Sequence, residues 1–128
     1  GLDSNQIYSE PCLSCATEVV KRMGATEQES IVVSGLAGGI GLSGNGCGAL
    51  SAAIWYKMLD WSKKNPGKNP AFFNNQDVKS LLRSFYIRTD SEMLCRKICG
   101  KHFESIDEHT DYIRSGGCKN IIEALAIT

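Results

Sequence analysis

The sequence predicts an all-α fold, a compact bundle of five or six helices formed by one domain of 128 residues. Apolar residues recur every three or four positions along most of the chain, which is the period of a helix with one buried face. Thr26 with Glu29 and Ser105 with Glu108 have the spacing of capping boxes, which mark helix starts. Residues 1–9 are polar and are expected to be frayed, so we assign residues 10–128 to a single helical domain.

Two helices are predicted before a glycine-rich loop. Pro11 suits the first position of a helix, which then carries Val19 and Val20 on its apolar face and ends at Gly24. A short second helix begins after Thr26 and runs to the first glycines of the loop. Residues 31–33 are β-branched, so a strand stays open as an alternative at that point.

The second half of the chain also follows the helical period. A third helix is predicted over residues 47–63, with alanines that allow close approach by neighbouring helices, and a fourth over residues 75–88. A short fifth helix ends at Gly100, and two more helices are expected over residues 105–114 and 118–127. The polar residues of the helix at 105–114 are expected to form a solvated face: Asp107, Glu108, His109 and Asp111.

Charge and hydropathy exclude two classes of partner. Fourteen Lys and Arg residues balance fourteen Asp and Glu residues, so no basic surface indicates a nucleic acid. The apolar runs are far shorter than the ~20 residues of a membrane helix, so no membrane span is predicted. We expect a cytoplasmic protein, with an exported or anchored form as the alternative because residue 1 is glycine rather than methionine.

The segment from residue 35 to residue 48 contains seven glycines. Its G-x-G-x-x-G pattern is typical of nucleotide-binding loops, but the chain lacks the further strands of a dinucleotide-binding sheet, which disfavours nucleotide binding. Glycine permits positive φ and close backbone approach. We therefore interpret the loop as a support that places Cys47 at the start of the third helix, with four positioning residues: Gly39, Gly41, Gly46 and Gly48.

The six cysteines lie at positions 12, 15, 47, 95, 99 and 118. Cys12 and Cys15 form a C-x-x-C pair in the predicted first helical turn, where the helix dipole lowers a thiol pKa by less than about one unit. Cys47, Cys95 and Cys118 also fall at or near predicted helix starts. If these helix starts converge, the thiols share an electropositive pocket that suits redox chemistry, a soft metal or an iron–sulfur cluster.

Two other metal patterns are disfavoured. Cys95, Cys99 and His102 have a C-x3-C-x2-H spacing, and thiolate and imidazole are zinc ligands. Gly100 is expected to end the helix before His102, so we interpret His102 as a surface histidine. The chain has no C-x-x-C-H segment, so a covalently attached c-type haem is not indicated.

The cysteine pattern resembles that of a bacterial and archaeal family named for its signature, C_GCAxxG_C_C. The resemblance spans about residues 12–126, and the matching pieces are Cys15-Ala16, the glycine-rich loop with Gly46-Cys47-Gly48-Ala49, then Cys95 and Cys118. Ser14 and Ala52 stand where the pattern has glycine, and Cys12 and Cys99 are additions to it. The resemblance implies a redox function and names no substrate.

This resemblance implies thiol–disulfide or electron-transfer chemistry carried by four cysteines: Cys15, Cys47, Cys95 and Cys118. We add Cys12 as a fifth candidate, since it forms the C-x-x-C pair with Cys15. Cys15 or Cys12 would be the nucleophile and Cys47 its partner. Cys95 and Cys118 would be a second pair or co-ligands. The enzyme class implied is a thiol–disulfide oxidoreductase with an undefined redox partner, and a homodimer stays open.

Two alternatives come from the same residues. The first is a protein that binds zinc or an iron–sulfur cluster through four cysteines: Cys15, Cys47, Cys95 and Cys118. The second is a structural helical interaction module in which the cysteines are core residues. Metal content and thiol reactivity distinguish these alternatives from the redox hypothesis.

Overall fold

The computed structural model describes residues 13–71 and 74–128. This part of the chain forms seven α-helices: α1 (Cys15–Met23), α2 (Glu27–Val32), α3 (Gly48–Lys64), α4 (Gln76–Thr89), α5 (Cys95–Ile98), α6 (Ile106–Arg114) and α7 (Lys119–Ile127). A short 3-10 helix, Ser34–Leu36, follows α2. The same residues contain no strand, so the all-α prediction is confirmed, with seven helices in the described residues where five or six were predicted. The strand alternative at residues 31–33 is wrong. The frayed segment predicted for residues 1–9 lies outside the described residues.

Helix α1 begins at Cys15, later than the predicted start at Pro11. Leu13 and Ser14 are not helical, and Ser14 is the N-cap. The Ser14 hydroxyl accepts a hydrogen bond from the Thr17 N–H (3.2 Å), and the Thr17 hydroxyl accepts one from the Ser14 N–H (3.0 Å). This capping box satisfies two backbone donors in a buried position, which fixes the helix start at Cys15. Cys12 and Pro11 lie outside the described residues.

Helix α3 is the centre of the bundle and packs against α1, α4 and α7. Ala52 and Ala53 are fully buried, so neighbouring helices approach its backbone closely, as the sequence predicted. Large side chains from the other helices fill the remaining core: Val19 and Val20 of α1, Leu81 and Phe85 of α4, and Leu125 of α7. Each such side chain stabilises the fold by about 1.5–3 kcal/mol through burial.

The glycine-rich loop folds back on itself before α3. Gly41 N–H donates to the Gly35 carbonyl (2.8 Å), and Gly44 N–H donates to the Gly38 carbonyl (3.0 Å). Its far end then pairs with the start of α5: Cys95 N–H donates to the Asn45 carbonyl, and Arg96 N–H donates to the Gly44 carbonyl, both at 3.0 Å. The loop therefore connects the N-terminus of α3 with the N-terminus of α5.

The predicted caps of α2 and α6 are confirmed. The Thr26 hydroxyl accepts from the Glu29 N–H, and the Ser105 hydroxyl accepts from the Glu108 N–H. Helix α7 begins one residue later than predicted, because Cys118 has a left-handed backbone conformation (φ 60°) and precedes the helix as its N-cap. In the described part of the chain, no helix combines the length and the apolar character needed to cross a membrane.

Candidate functional site

Four cysteines lie at helix N-termini, as the sequence predicted. Cys15 and Cys95 are the first residues of α1 and α5, whereas Cys47 and Cys118 are the N-caps of α3 and α7. These helix starts meet: the thiol of Cys15 interacts electrostatically with those of Cys47 and Cys99, and Cys95 and Cys118 interact with all three. These five cysteines are free thiols in the structure. The bundle therefore collects five sulfurs in one region, and Cys12 lies outside the described residues.

The glycine loop reaches this region through close backbone contacts. A Cβ atom on Gly39 would lie 2.6 Å from Cys95 Cβ and 2.7 Å from Gly44 Cα, and one on Gly48 would overlap the Leu36 carbonyl oxygen. At Gly46 a Cβ would lie 3.0 Å from a methyl carbon of Ile40. The loop thus positions Cys95 at least as directly as it positions Cys47.

Gly41 differs from the other three predicted positioning glycines. It has φ +63°, a left-handed conformation that glycine adopts without steric cost, but a Cβ there would meet nothing within 4 Å. Its requirement for glycine is therefore conformational only. Comparing Gly41 with Gly39 therefore distinguishes the effect of the loop's backbone conformation from the effect of its packing against Cys95.

Three thiols form a row at the centre of the site. Cys99 Sγ lies 3.9 Å from Cys95 Sγ and 3.7 Å from Cys118 Sγ. Cys95 and Cys99 are four residues apart at α5 and its C-cap, so both project towards the same side. The sequence interpretation left Cys99 out of the site as an addition to the family pattern. Its i, i+4 spacing from Cys95 was the signal that could have placed it there.

Hydrogen bonding concentrates negative charge on Cys99. The Cys118 and Cys95 thiols donate towards its sulfur, and the Tyr112 hydroxyl adds a third donor, so the pKa of Cys99 lies well below its ordinary value. Donation to Cys99 and burial raise the pKa of Cys95 and of Cys118. These directions favour a thiolate on Cys99 over one on Cys95 or Cys118. Cys99 is only partly buried, so this thiolate is near the surface.

Cys15 and Cys47 have the opposite character. Burial raises the pKa of the Cys15 thiol to about 12, and burial also raises the pKa of Cys47. The sequence interpretation expected the helix dipole to lower the pKa of Cys15, and this expectation is wrong. Cys15 is only 4% exposed, so the cost of burying a charge exceeds the small contribution of the dipole. Both residues are protonated thiols at neutral pH.

The buried thiol of Cys15 should make the reduced protein less stable at alkaline pH. Cys15 ionises near pH 9.0 in the unfolded chain and near 12 in the folded one, so between these values only the folded state keeps the proton. The stabilisation is complete below pH 9 and is lost as the pH rises towards 12, by up to about 1.4 kcal/mol per pH unit. In urea unfolding between about pH 8 and pH 10, the free energy of unfolding should decline less steeply with pH in Cys15→Ala than in the parent protein. Equal slopes in the two proteins would contradict this.

His109 lies inside the protein, so its assignment to a solvated face of α6 is wrong. It is 1% exposed, and Nε2 accepts a hydrogen bond from the Cys15 N–H (3.3 Å). Phe103 packs edge-on against its ring at 4.8 Å. Burial lowers the pKa of His109, which keeps the ring neutral and able to accept. His109 shares its helix face with the buried Ile113, four residues later, and this spacing was the missed signal.

His102 is an exposed residue, as predicted. Its Nε2 lies 2.6 Å from the Leu42 carbonyl oxygen in the glycine-rich loop. Across residues 13–71 and 74–128, no group of three or more His, Cys, Asp or Glu residues is arranged to hold a metal ion. In the cysteine row, the sulfur of Cys99 instead contacts the sulfur of Cys95 on one side and the sulfur of Cys118 on the other.

Comparison with known protein families gives one match that covers almost the whole chain. A family model described as "Putative redox-active protein (C_GCAxxG_C_C)" matches residues 9–128. The chain belongs to the C_GCAxxG_C_C family. Neither the curated proteins nor the solved structures contain a match to it. Within this family member, the four cysteines assigned to the signature are the four found at helix N-termini: Cys15, Cys47, Cys95 and Cys118.

Proposed function

We propose that this redox-active family member uses Cys99 and Cys118 as a reversible dithiol–disulfide pair that oxidises thiol substrates. The observation that carries the proposal is the 3.7 Å separation of their sulfurs, and the lowered pKa of Cys99 supports it. A disulfide needs the sulfurs at about 2.05 Å, so closure requires a movement of less than 2 Å. Cys118 lies outside the regular turns of α7, where its position can adjust without breaking the helix.

The assignment differs from the pair that the family resemblance implied. Cys15 was expected to be the nucleophile with Cys47 as its partner, but burial keeps both thiols protonated. The thiolate is the reactive form of cysteine in exchange. We therefore assign the redox pair to Cys99 and Cys118 and give Cys95 a supporting role, since its thiol donates to the Cys99 thiolate.

The same hydrogen bonds set the direction of the reaction. Stabilising the Cys99 thiolate stabilises the reduced protein, and a stabilised reduced form makes a disulfide a stronger oxidant. A substrate thiolate attacks Cys118 Sγ, the Cys99–Cys118 bond breaks, and Cys99 leaves with the electron pair. A second substrate thiol then attacks the mixed disulfide, which releases a substrate disulfide and Cys118 as a thiol. Two substrate thiols thus lose two electrons to the protein, and a disulfide of higher potential restores the oxidised form.

Equilibration in thiol–disulfide buffers should produce one linkage, Cys99–Cys118, detected by mass mapping of alkylated peptides. Its reduction potential should be more positive than about −270 mV, the value for thioredoxin, because the leaving thiolate is stabilised. Cys118→Ser should abolish the linkage. Cys95→Ala should keep the linkage but lower the potential, since one donor to Cys99 is lost.

The mapping also shows how the proposal could be wrong. Six thiols that stay free in an oxidising buffer would remove the redox pair and favour cysteines that serve only in the core. A linkage between Cys15 and Cys47 would return the assignment to the pair that the resemblance implied.

A second candidate function is metal binding. The described residues contain no group of three arranged to hold a metal ion, so this candidate rests only on the two sulfur separations and would need the sulfurs to rearrange around the metal. Zinc with four thiolates at about 2.3 Å places neighbouring sulfurs about 3.8 Å apart, and the sulfur separations in the row are 3.7 and 3.9 Å. Zinc or iron in a near-stoichiometric amount after oxygen-free purification would favour this candidate. Less than about 0.1 metal ion per chain would leave the disulfide proposal as the better one.

A further inference from the structure

A cavity of about 380 Å³ lies beside the proposed redox pair, and Cys118 forms part of its wall. Its apolar side is formed by Ile98 at the end of α5 and by Tyr112 of α6. Pockets of about 300–1,000 Å³ bind small molecules. A ligand in this cavity would contact Cys118, the residue whose sulfur is attacked in the proposed exchange.

The charged side chains of the cavity are both cationic. Arg88 and Lys119 line it together with Asn120, and no Asp or Glu lies among the lining residues. In the part of the chain that the structure describes, Arg88 makes no ion pair. Lys119 has a single weak one, with Glu123 at 3.9 Å. A guanidinium presents paired N–H donors that match a carboxylate.

We propose that this cavity binds low-molecular-weight thiols that carry a carboxylate, with Arg88 and Lys119 holding the carboxylate and the thiolate facing Cys118 Sγ. The inference rests on the proposed Cys99–Cys118 disulfide and names its substrate class. The two cations would not increase the affinity of the cavity for a neutral thiol, and they would repel a positively charged thiol.

The chemistry balances with two molecules of this substrate. The first thiolate forms a bond with Cys118 Sγ as the Cys99–Cys118 bond breaks, and Cys99 leaves as a thiolate. The second thiolate attacks the sulfur of the bound substrate, forms the substrate disulfide and releases Cys118, which takes up a proton. The protein gains the two electrons that the two substrate thiols lose.

The first test reduces the oxidised protein with three small thiols of different charge: 3-mercaptopropionate, 2-mercaptoethanol and cysteamine. With rates corrected for thiolate concentration, the anionic thiol should react about tenfold faster than the neutral one at low salt, and the cationic thiol more slowly still. Arg88→Gln should remove most of the advantage of 3-mercaptopropionate. Arg83→Gln, an exposed position on the same helix that does not line the cavity, should leave the ratio of the rates unchanged.

The second test needs no disulfide. Iodoacetate and iodoacetamide alkylate the same sulfur and differ in charge, so their rate ratio at Cys99 and Cys118 of the reduced protein reports anion attraction directly. We expect Arg88→Gln to lower this ratio about fivefold, whereas Arg83→Gln should not change it.

The two tests separate failure of this inference from failure of the proposed function. If no disulfide forms in the parent protein, the proposed redox pair is wrong, and the alkylation ratio still decides whether the cavity attracts carboxylates. If the disulfide forms but neither test depends on charge or on Arg88, the redox pair stands and the substrate class is overturned. Equal slowing of all three thiols by Arg88→Gln would also overturn it.

Discussion

Alkylation of Cys99 in the reduced protein should proceed at nearly the same rate from about pH 5 to pH 8. An ordinary thiol with a pKa of 9.0 reacts about tenfold faster with each pH unit in this range, because its thiolate fraction grows tenfold. Cys99 is already a thiolate throughout the range, since Cys95, Cys118 and Tyr112 donate to its sulfur. The difference between the two profiles should reach about 1,000-fold over three pH units. Mass mapping of alkylated peptides at each pH measures it.

Cys99→Ser should remove the alkylation whose rate is independent of pH, which we call the flat profile, because the reactive sulfur is absent. In this variant burial still raises the pKa of the four other cysteines of the described residues, so their alkylation should increase only at alkaline pH: Cys15, Cys47, Cys95 and Cys118. Tyr112→Phe removes one of the three donors and should move the Cys99 profile part of the way towards that of an ordinary thiol. Cys15→Ser should leave the flat profile in place. A Cys99 rate that rises tenfold per pH unit in the parent protein would contradict the charge distribution described above.

The helices could be predicted well where local signals decide them. The capping box at Thr26, the N-cap at Ser105 and the alanine-rich face of α3 need only neighbouring residues, and each is present in the structure. The predicted box at Ser105 is only half formed, because the Glu108 carboxylate accepts from the Glu104 N–H. The start of α1 could not be predicted in this way. Pro11 and Ser14 are both acceptable starts by local rules, and the buried capping box of Ser14 with Thr17 decides between them.

The candidate site shows the same division between local and tertiary information. Helix starts are local features, so the sequence placed Cys15, Cys47, Cys95 and Cys118 at helix N-termini correctly. Burial is a tertiary property, and it reverses two expectations. It raises the pKa of Cys15 against the helix dipole, and it encloses His109 although its sequence neighbours are polar.

The role of the glycines could not be fully predicted from the sequence either, because it includes a contact with residues far along the chain. The spacing of the loop to Cys47 suggested that it serves the third helix alone. Hydrogen bonds from Cys95 and Arg96 to the carbonyls of Asn45 and Gly44 show that the loop also holds α5, about 50 residues further along the chain. No local pattern indicates which of the seven glycines meets that helix.

Gly39→Ala should therefore destabilise the protein much more than Gly41→Ala. Both glycines have positive φ (+80° and +63°), so an alanine at either position costs about 1–2 kcal/mol in backbone conformation. At position 39 the added methyl group would also overlap Cys95 Cβ and the Gly44 backbone, whereas at position 41 it meets nothing within 4 Å. Overpacking of this kind adds about 1–3 kcal/mol, so we expect a total of about 2–5 kcal/mol for Gly39→Ala by urea unfolding.

The same pair of variants tests whether the loop serves the sulfur row. Relief of the overlap in Gly39→Ala requires α5 to move, which carries Cys95 and Cys99 away from Cys118 and Tyr112 and so weakens the donation of these two residues to Cys99. The pH profile of Cys99 alkylation should then become steeper in Gly39→Ala and stay flat in Gly41→Ala. Equal losses of unfolding free energy in the two variants would mean that the loop accommodates the added methyl group without moving α5. A flat profile in both would mean that the charge on Cys99 does not depend on the position of that helix.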